Sequence, residues 1–160
     1  MCIRDRSSGP GISGVAVVRI SGPDSSKVLK SLTKQELPAP RVATLRKINN
    51  INTSELIDEG LILWFPGPQS STGEDMVEIH VHGGKAVVEA LLKTLSNIKD
   101  CRFAEPGEFT KLAFQNGKIN LLKAESIGDL ISAETEIQRS QAIKMMNGKS
   151  SERFNYLREK

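Results

Sequence analysis

Polar and apolar residues alternate most strictly over residues 76–82, where the pattern predicts a β-strand with one buried face. Its two faces are made of alternate residues, Val77, Ile79 and Val81 on the apolar one and Met76, Glu78, His80 and His82 on the other. Apolar or β-branched runs bounded by glycine, proline or serine predict further strands. These cover residues 15–20, 42–48, 57–65 and 101–104.

Helical spacing of apolar residues predicts three helices, over residues 24–32, 85–98 and 108–115. The first begins after Pro23, and the second begins after Gly83 and Gly84 break the preceding strand. The proline- and glycine-rich residues 66–73 predict a surface loop. From Leu121 onward only helical spacing remains. The pattern therefore predicts an α+β fold to about Lys118, followed by long helices.

The same pattern divides the chain into three parts. Residues 1–6 belong to no periodic element, and we predict a foreign or disordered start there. Residues 7–118 form the predicted α+β domain, and residues 119–160 the beginning of a helical domain. The chain stops within a helical pattern (Phe154, Leu157, Lys160), which indicates a fragment of a longer protein.

Composition is that of an ordinary globular protein. The chain has 160 residues, of which 38% are hydrophobic and 26% charged, so intrinsic disorder is not expected. The formal net charge is only +3, because 22 Lys and Arg residues face 19 Asp and Glu residues. This mild basic excess does not indicate a nucleic-acid surface by itself.

Cysteine content and hydropathy limit where the protein works. The two cysteines, Cys2 and Cys101, do not form a disulfide framework or a metal spacing, which points to a reducing compartment. No apolar run approaches the ~18 residues of a membrane span, and no secretory signal precedes the first strand. We therefore expect a soluble, intracellular protein without membrane association.

Two nucleotide-binding motifs match only superficially. Residues 9–14 fit G-x-G-x-x-G, but they precede a strand instead of linking a strand to a helix, and they contain Pro10. Gly148, Lys149 and Ser150 copy the end of a P-loop, yet Ile143 stands where that motif needs a glycine. Neither segment predicts a phosphate site.

The densest polar cluster lies over residues 73–84, in a loop, a strand and a strand-to-helix turn. Such turns are frequent ligand positions, although ordinary turn chemistry also explains the composition. Glu78, His80 and His82 share a strand face and resemble a three-ligand metal set, but we favour a polar cleft wall. A second polar group of Glu108, Lys111 and Lys118 is interpreted as a solvated helix face.

Several short motifs occur together in a fixed order along the chain. They are VVRISG (17–22), LWFPGP (63–68), TGED (72–75), HGG (82–84), PGEFT (106–110), AF (113–114), NGK (116–118), AE (124–125) and DLI (129–131). This series resembles the N-terminal part of the MnmE (TrmE) family of tRNA-modification GTPases over residues 7–149. AETE (133–136) followed by QR (138–139) resembles its alphaproteobacterial and mitochondrial branch.

The resemblance implies a fold and a function for the two domains. Residues 7–118 would be a folate-binding domain akin to tetrahydrofolate aminomethyltransferases, and residues 119–160 the first helices of the central helical domain. The family implies homodimerisation through the N-terminal domain and 5-formyltetrahydrofolate, or a related tetrahydrofolate, as ligand. That ligand would support aminomethyl or carboxymethylaminomethyl modification at C5 of a wobble uridine in certain tRNAs.

The resemblance also implies partners and cofactors outside this chain. The family works with an FAD-dependent protein, MnmG, on tRNA, and hydrolyses GTP with potassium and magnesium in a separate G domain. That domain and the family's C-terminal cysteine motif have no match here, and MCIRDR (1–6) does not resemble the family's first strand. We therefore expect this chain alone neither to hydrolyse GTP nor to complete tRNA modification, and assign it no catalytic residue and no metal.

Three folate contacts of the family map onto Arg19, Glu78 and Lys118. A carboxylate such as Glu78 can accept two hydrogen bonds from the N–H groups of a pterin edge. The cations Arg19 and Lys118 suit the carbonyl and carboxylate acceptors of the folate tail. His80 and His82 would then shape the pocket wall. Two alternatives stay open: a stand-alone folate-dependent one-carbon transferase, and a dimerisation domain without ligand.

Overall fold

The computed structural model describes residues 1–9 and 11–147, which fall into two compact units divided between Phe109 and Thr110. The boundary between the units falls inside the third helix. The described elements, in chain order, are β1 (Cys2–Arg6), β2 (Ser13–Ser21), α1 (Ser25–Thr33), β3 (Thr44–Asn49), β4 (Leu56–Phe65), β5 (Met76–Gly83), α2 (Lys85–Ser96), β6 (Cys101–Phe103), α3 (Glu108–Gln115), α4 (Leu121–Ser132) and α5 (Glu136–Met146).

The first unit is built on a six-stranded sheet with the order β3-β4-β5-β2-β1-β6. Only β1 and β6 pair in parallel, and all other neighbours are antiparallel. The central pair, β2 and β5, joins strands that are separated along the chain by α1, β3 and β4. The fold is therefore mixed α/β, as the predicted alternation of strand and helix patterns requires.

Helices α1 and α2 cover one face of this sheet. The apolar positions predicted for β5 lie on that face, opposite their register partners in β2, for example Ile79 opposite Val18. Leu29 and Leu32 of α1 and Leu91 of α2 pack against them and are at most 1% exposed. Burial of these aliphatic side chains, each worth roughly 1.5–3 kcal/mol, supplies most of the stabilisation of the unit.

The first strand corrects part of the prediction for residues 1–6. Cys2–Arg6 is ordered as β1, which pairs with β2 on one side and with β6 on the other. Five residues are too short to show a period, so their pattern predicted no element, and the strand is recognised only through its two neighbours. The expectation of a disordered start is therefore wrong for these residues, whereas the expectation of foreign sequence stays a prediction.

Beyond α3, the described residues 121–147 contain two helices, α4 with 12 residues and α5 with 11, where the sequence pattern predicted long helices. α4 begins at Asn120, whose side chain accepts a hydrogen bond from the Lys123 amide at 2.8 Å. α5 begins with a capping box, in which Thr135 accepts from the Gln138 amide and the Gln138 side chain accepts from the Thr135 amide. This cap separates the two helices at Ala133, whose backbone is extended.

Two expectations fall outside the described residues. The helical pattern at Phe154, Leu157 and Lys160 lies beyond residue 147, and so does the partial P-loop match at Gly148. Among residues 1–9 and 11–147, no helix is long and apolar enough to cross a membrane.

Candidate functional site

Helices α1 and α2 cover one face of the sheet, and the other face carries the polar positions predicted from the sequence. The register of β2 and β5 places Arg19 directly opposite Glu78, and register partners of an antiparallel pair project from the same face. Their side chains are about equally exposed, 27% for Arg19 and 28% for Glu78. The structure therefore brings together two of the three predicted folate residues.

Arg19 is held by two neighbours. Its Nε and Nη2 groups donate to the two carboxylate oxygens of Asp5, at 3.0 and 2.5 Å. Its guanidinium also stacks on the ring of Phe109, 4.2 Å from the ring centroid. Stacking and a bidentate ion pair both fix the plane of the guanidinium, which orients its remaining N–H donors.

Glu78 and His80 form the centre of this face. The Nε2 atom of His80 lies 3.5 Å from Oε2 of Glu78, which is too far for a good hydrogen bond. Val17 and Leu61 are the register partners of His80 on its two sides, so its flanks are apolar. Nε2 is enclosed and finds no hydrogen-bond partner within the described part of the chain.

His82 is engaged differently, because it pairs with Asp58 of β4. Its Nδ1 lies 2.9 Å from Oδ1 of Asp58, and its backbone amide donates to Oδ2 at 2.8 Å. Burial alone would raise the pKa of the Asp58 carboxyl, but hydrogen bonds from His82 and from the Glu59 amide outweigh it and hold that pKa below its usual value. The pair fixes the orientation of an imidazole that is 74% exposed.

A shallow groove of about 300 Å³ adjoins His80. Residues of β2, β3, β4 and β5 line it, which makes it a feature of the sheet rather than of a loop. Its lining residues are Gly14, Val15, Leu45, Glu59, Gly60, Leu61, His80, Val81 and His82. His80 thus lies between the groove on one side and Glu78 on the other.

Lys118 belongs to the second compact unit, where its backbone is fixed at the end of α3. Gly117 has φ of +66°, and its amide donates to the Phe114 carbonyl at 3.0 Å. The Lys118 amide donates to the Ala113 carbonyl at 2.8 Å, which completes a Schellman motif. The Lys118 side chain is exposed. Its participation in a site with Arg19 and Glu78 stays a prediction.

Glu108 has a structural role that the interpretation as a solvated helix face did not include. It forms a two-pronged ion pair with Arg102 of β6, with Nη1 donating to Oε2 at 2.8 Å, and it accepts the Glu105 amide at 2.8 Å. The hydrogen bonds from Arg102 to Glu108 raise the pKa of the Arg102 guanidinium. Glu108 therefore anchors the start of α3 to the edge of the sheet.

On this face, no metal-binding cluster is formed by Glu78, His80 and His82, the three residues that share one face of β5. Across residues 1–9 and 11–147, no group of three or more His, Cys, Asp or Glu side chains is arranged to hold a metal ion. His82 is directed to Asp58, whereas Glu78 lies beside His80 and opposite Arg19. The interpretation of this face as a polar cleft wall stays a prediction.

Sequence reasoning missed Asp5, which supports Arg19 from the segment that we predicted to be foreign or disordered. It missed two further residues of this site, Asp58 and Phe109. Asp58 lies near the start of β4 in a polar stretch that carries no motif, and its contact with His82 depends on the pairing of β4 with β5. Phe109 was noted only as part of PGEFT, although its ring supports Arg19. The sequence carries no local signal for either contact, because both join residues distant along the chain.

The fold and the site together define a class of protein. It is a mixed α/β domain whose sheet carries helices on one face and the charged residues Arg19 and Glu78 on the other. A family model described as GTP-binding protein TrmE N-terminus matches residues 2–118. This match covers well over half of the chain, so the chain belongs to the TrmE N-terminal family.

Curated relatives agree with the family match. A tRNA modification GTPase MnmE of Pelagibacter ubique (strain HTCC1062) is 73% identical over all 160 residues of the chain, which cover 36% of that protein. The mitochondrial 5-taurinomethyluridine-[tRNA] synthase subunit GTPB3 of Homo sapiens is 52% identical over 143 residues, 89% of this chain and 29% of that protein. The chain thus spans about a third of the length of the curated relatives that it matches.

Proposed function

We propose that this chain is the folate-binding and homodimerisation module of a tRNA-modifying GTPase. Membership of the TrmE N-terminal family and relatives that are named for tRNA modification support this proposal. The full protein would act with an FAD-dependent MnmG-type partner at C5 of a wobble uridine in tRNA. GTP, potassium and magnesium would bind in a G domain that this chain does not contain, and the bacterial cytoplasm would be its compartment, with the mitochondrial matrix as the alternative.

The observation that carries the proposal is the opposition of Arg19 and Glu78 on one sheet face. A tetrahydrofolate carries N–H donors on its pterin ring and carbonyl and carboxylate acceptors along its tail. Glu78 supplies a carboxylate for the first, and the oriented guanidinium of Arg19 supplies donors for the second. The unpartnered Nε2 of His80 beside Glu78 is the kind of buried polar atom that a ligand would satisfy. The side chains present therefore fit this ligand.

In the proposed mechanism the chain holds and orients the ligand. A bound tetrahydrofolate supplies a one-carbon unit. Glu78 would fix the pterin edge, Arg19 and Lys118 would bind the tail, and Val17 and Leu61 would exclude water from the polar centre. Exclusion of water strengthens each hydrogen bond made by Glu78, because the local dielectric constant falls.

Titration calorimetry of the chain with 5-formyltetrahydrofolate tests the proposal, with GTP titrated in parallel. We expect saturable binding of the folate and no heat of binding with GTP. The absence of a heat of binding with both compounds would contradict folate binding and favour a dimerisation domain without ligand. Turnover of the folate by this chain alone would instead favour a stand-alone one-carbon transferase.

Replacement of Glu78 by alanine should weaken binding of 5-formyltetrahydrofolate by ~1.5–3 kcal/mol, about ten- to over a hundredfold, since a charge-assisted hydrogen bond is lost. Glu78→Gln keeps the shape but loses the charge, and should fall between wild type and alanine. The matched control is Glu89→Ala on the exposed side of α2, which should leave the affinity unchanged. Equal affinities for Glu78→Ala and Glu89→Ala would refute the role of Glu78.

Homodimerisation is an independent part of the proposal. Leu45 and Leu61, on neighbouring strands at the β3 edge of the sheet, are 60% and 42% exposed, which leaves apolar surface available for a second copy. Sedimentation velocity over a range of protein concentrations should show a transition from one 17.5 kDa chain to two. A single monomeric species at every concentration would contradict it.

A further inference from the structure

The Nε2 atom of His80 is a polar atom whose role in the fold is unexplained. It is enclosed, and no hydrogen-bond partner for it occurs in residues 1–9 or 11–147. The side chain as a whole is 30% exposed. Native structures rarely leave a buried polar atom unsatisfied without a reason such as ligand binding. Its location beside Glu78 associates it with the proposed pterin contact.

The surroundings of this ring favour a proton on Nε2. The nearest charged group is Oε2 of Glu78 at 3.5 Å, and a lone pair on Nε2 would face that carboxylate unfavourably. A neutral imidazole carries a proton on one nitrogen only, so the carboxylate selects the Nε2–H form. The apolar neighbours Val17 and Leu61 strengthen this preference by keeping the local dielectric constant low.

Glu78 and His80 together then form an ordered array of two acceptors and one donor. The carboxylate of Glu78 provides both acceptors, and Nε2–H of His80 provides the donor beside them. The complementary ligand edge has two adjacent N–H donors followed by an acceptor. A 2-amino-4-oxopyrimidine ring has this edge in its amino group, its ring N–H and its 4-oxo group, and pterins and guanine both contain that ring.

We propose that His80 recognises the 4-oxo group of the pterin and thereby makes the site selective for 4-oxo over 4-amino folates. The inference rests on the proposed function, in which Glu78 holds the pterin edge. A 4-amino group would present a donor to Nε2–H, and two donors facing each other leave both unsatisfied. The ring of His80 can turn towards the ligand about its second side-chain torsion, which has a broad energy profile.

Folic acid and aminopterin are the probes, because aminopterin has an amino group in place of the 4-oxo group and therefore also lacks the ring N–H beside it. Dissociation constants are measured by competition with 5-formyltetrahydrofolate at pH 8, where the diaminopteridine ring is neutral in solution. We expect wild type to bind folic acid about a hundredfold more tightly than aminopterin, because aminopterin loses two hydrogen bonds, one to Glu78 and one to His80. His80→Leu should reduce that ratio to about tenfold, the share of Glu78 alone, and His80→Gln, which keeps a donor, should restore it.

Lys93→Leu is the control, since it introduces the same leucine side chain on the exposed side of α2, away from the proposed ligand face. It should leave the ratio at its wild-type value. Far-ultraviolet circular dichroism of each variant establishes that it is folded. The same ratio in His80→Leu as in wild type would overturn the assignment, while the Glu78 result would stand.

Two other outcomes concern the ligand itself. If wild type binds neither probe nor 5-formyltetrahydrofolate, the proposed function and this inference both fall. GTP presents the same donor–donor–acceptor edge on its guanine ring. Binding of GTP that is abolished by His80→Leu would therefore overturn the assignment to a pterin and assign the array to guanine.

Discussion

At the scale of single residues, the side chains of the open sheet face are held by partners that come from other strands. Arg19 takes its orientation from Asp5 and Phe109, and His82 takes its orientation from Asp58. Such supports limit the number of rotamers that each functional group can adopt. A ligand that binds to this face therefore meets groups that lose little further side-chain entropy.

The Asp58–His82 pair should make stability depend on pH in the acid range. The pKa of Asp58 is lowered in the folded protein, so its contribution is fully present above the unfolded value of about 3.9 and is lost as the pH falls through the folded value. Because the His82 ring is mostly exposed, we expect Asp58→Asn to cost about 1 kcal/mol at pH 7.

Urea unfolding at pH 7 and pH 3 measures this contribution. The difference in free energy of unfolding between wild type and Asp58→Asn should shrink towards zero at pH 3. Asp129→Asn, on the exposed side of α4, is the matched control and should change little at either pH. A difference for Asp58→Asn that is the same at both pH values would show that its charge is not involved.

At the scale of elements, Gly60 allows the neighbouring strands β4 and β5 to lie close together. A Cβ atom at Gly60 of β4 would overlap the carbonyl oxygen of His80 on β5. Gly14 of β2 lies in the same sheet, but a Cβ atom there would meet no atom within 4 Å. Replacing each of these two glycines by alanine therefore separates the effect of steric overlap between strands on stability from the effect of losing a glycine as such.

Gly60→Ala should destabilise the protein by roughly 1–3 kcal/mol, because β4 must move away from β5 to admit the methyl group. Gly14→Ala should be neutral or slightly stabilising, because alanine loses less backbone entropy on folding. Thermal unfolding followed by circular dichroism compares the two variants. If both variants melt at the wild-type temperature, the close contact at Gly60 does not limit the fold.

Elements with a local signal could be predicted from the sequence, and contacts across the sheet could not. The alternation over residues 76–82 predicted both faces of β5. The glycine of the Asn116–Gly117 pair predicted the end of α3, because glycine often follows the last residue of a helix. β1 and the contact between Asp58 and His82 were missed because both depend on strand pairing over long sequence distances. The opposition of Arg19 and Glu78 likewise required the register of β2 and β5.

At the scale of the whole molecule, the chain combines two units of different character. The first contains the sheet with the proposed ligand face, and the second contains a helix pair with its own caps. The match to the family model ends at residue 118, and the predicted helical domain begins at residue 119. The chain covers about a third of the length of these relatives.

The strand order has a consequence for the rate at which the first unit folds. β2 and β5 are neighbours at the centre of the sheet, although α1, β3 and β4 intervene along the chain. Closing this long loop costs conformational entropy before any contact compensates for it, whereas α4 and α5 are consecutive and meet through local contacts. On refolding, the helix pair can therefore form early, whereas the face that carries Arg19 and Glu78 exists only after this long-range pairing is complete.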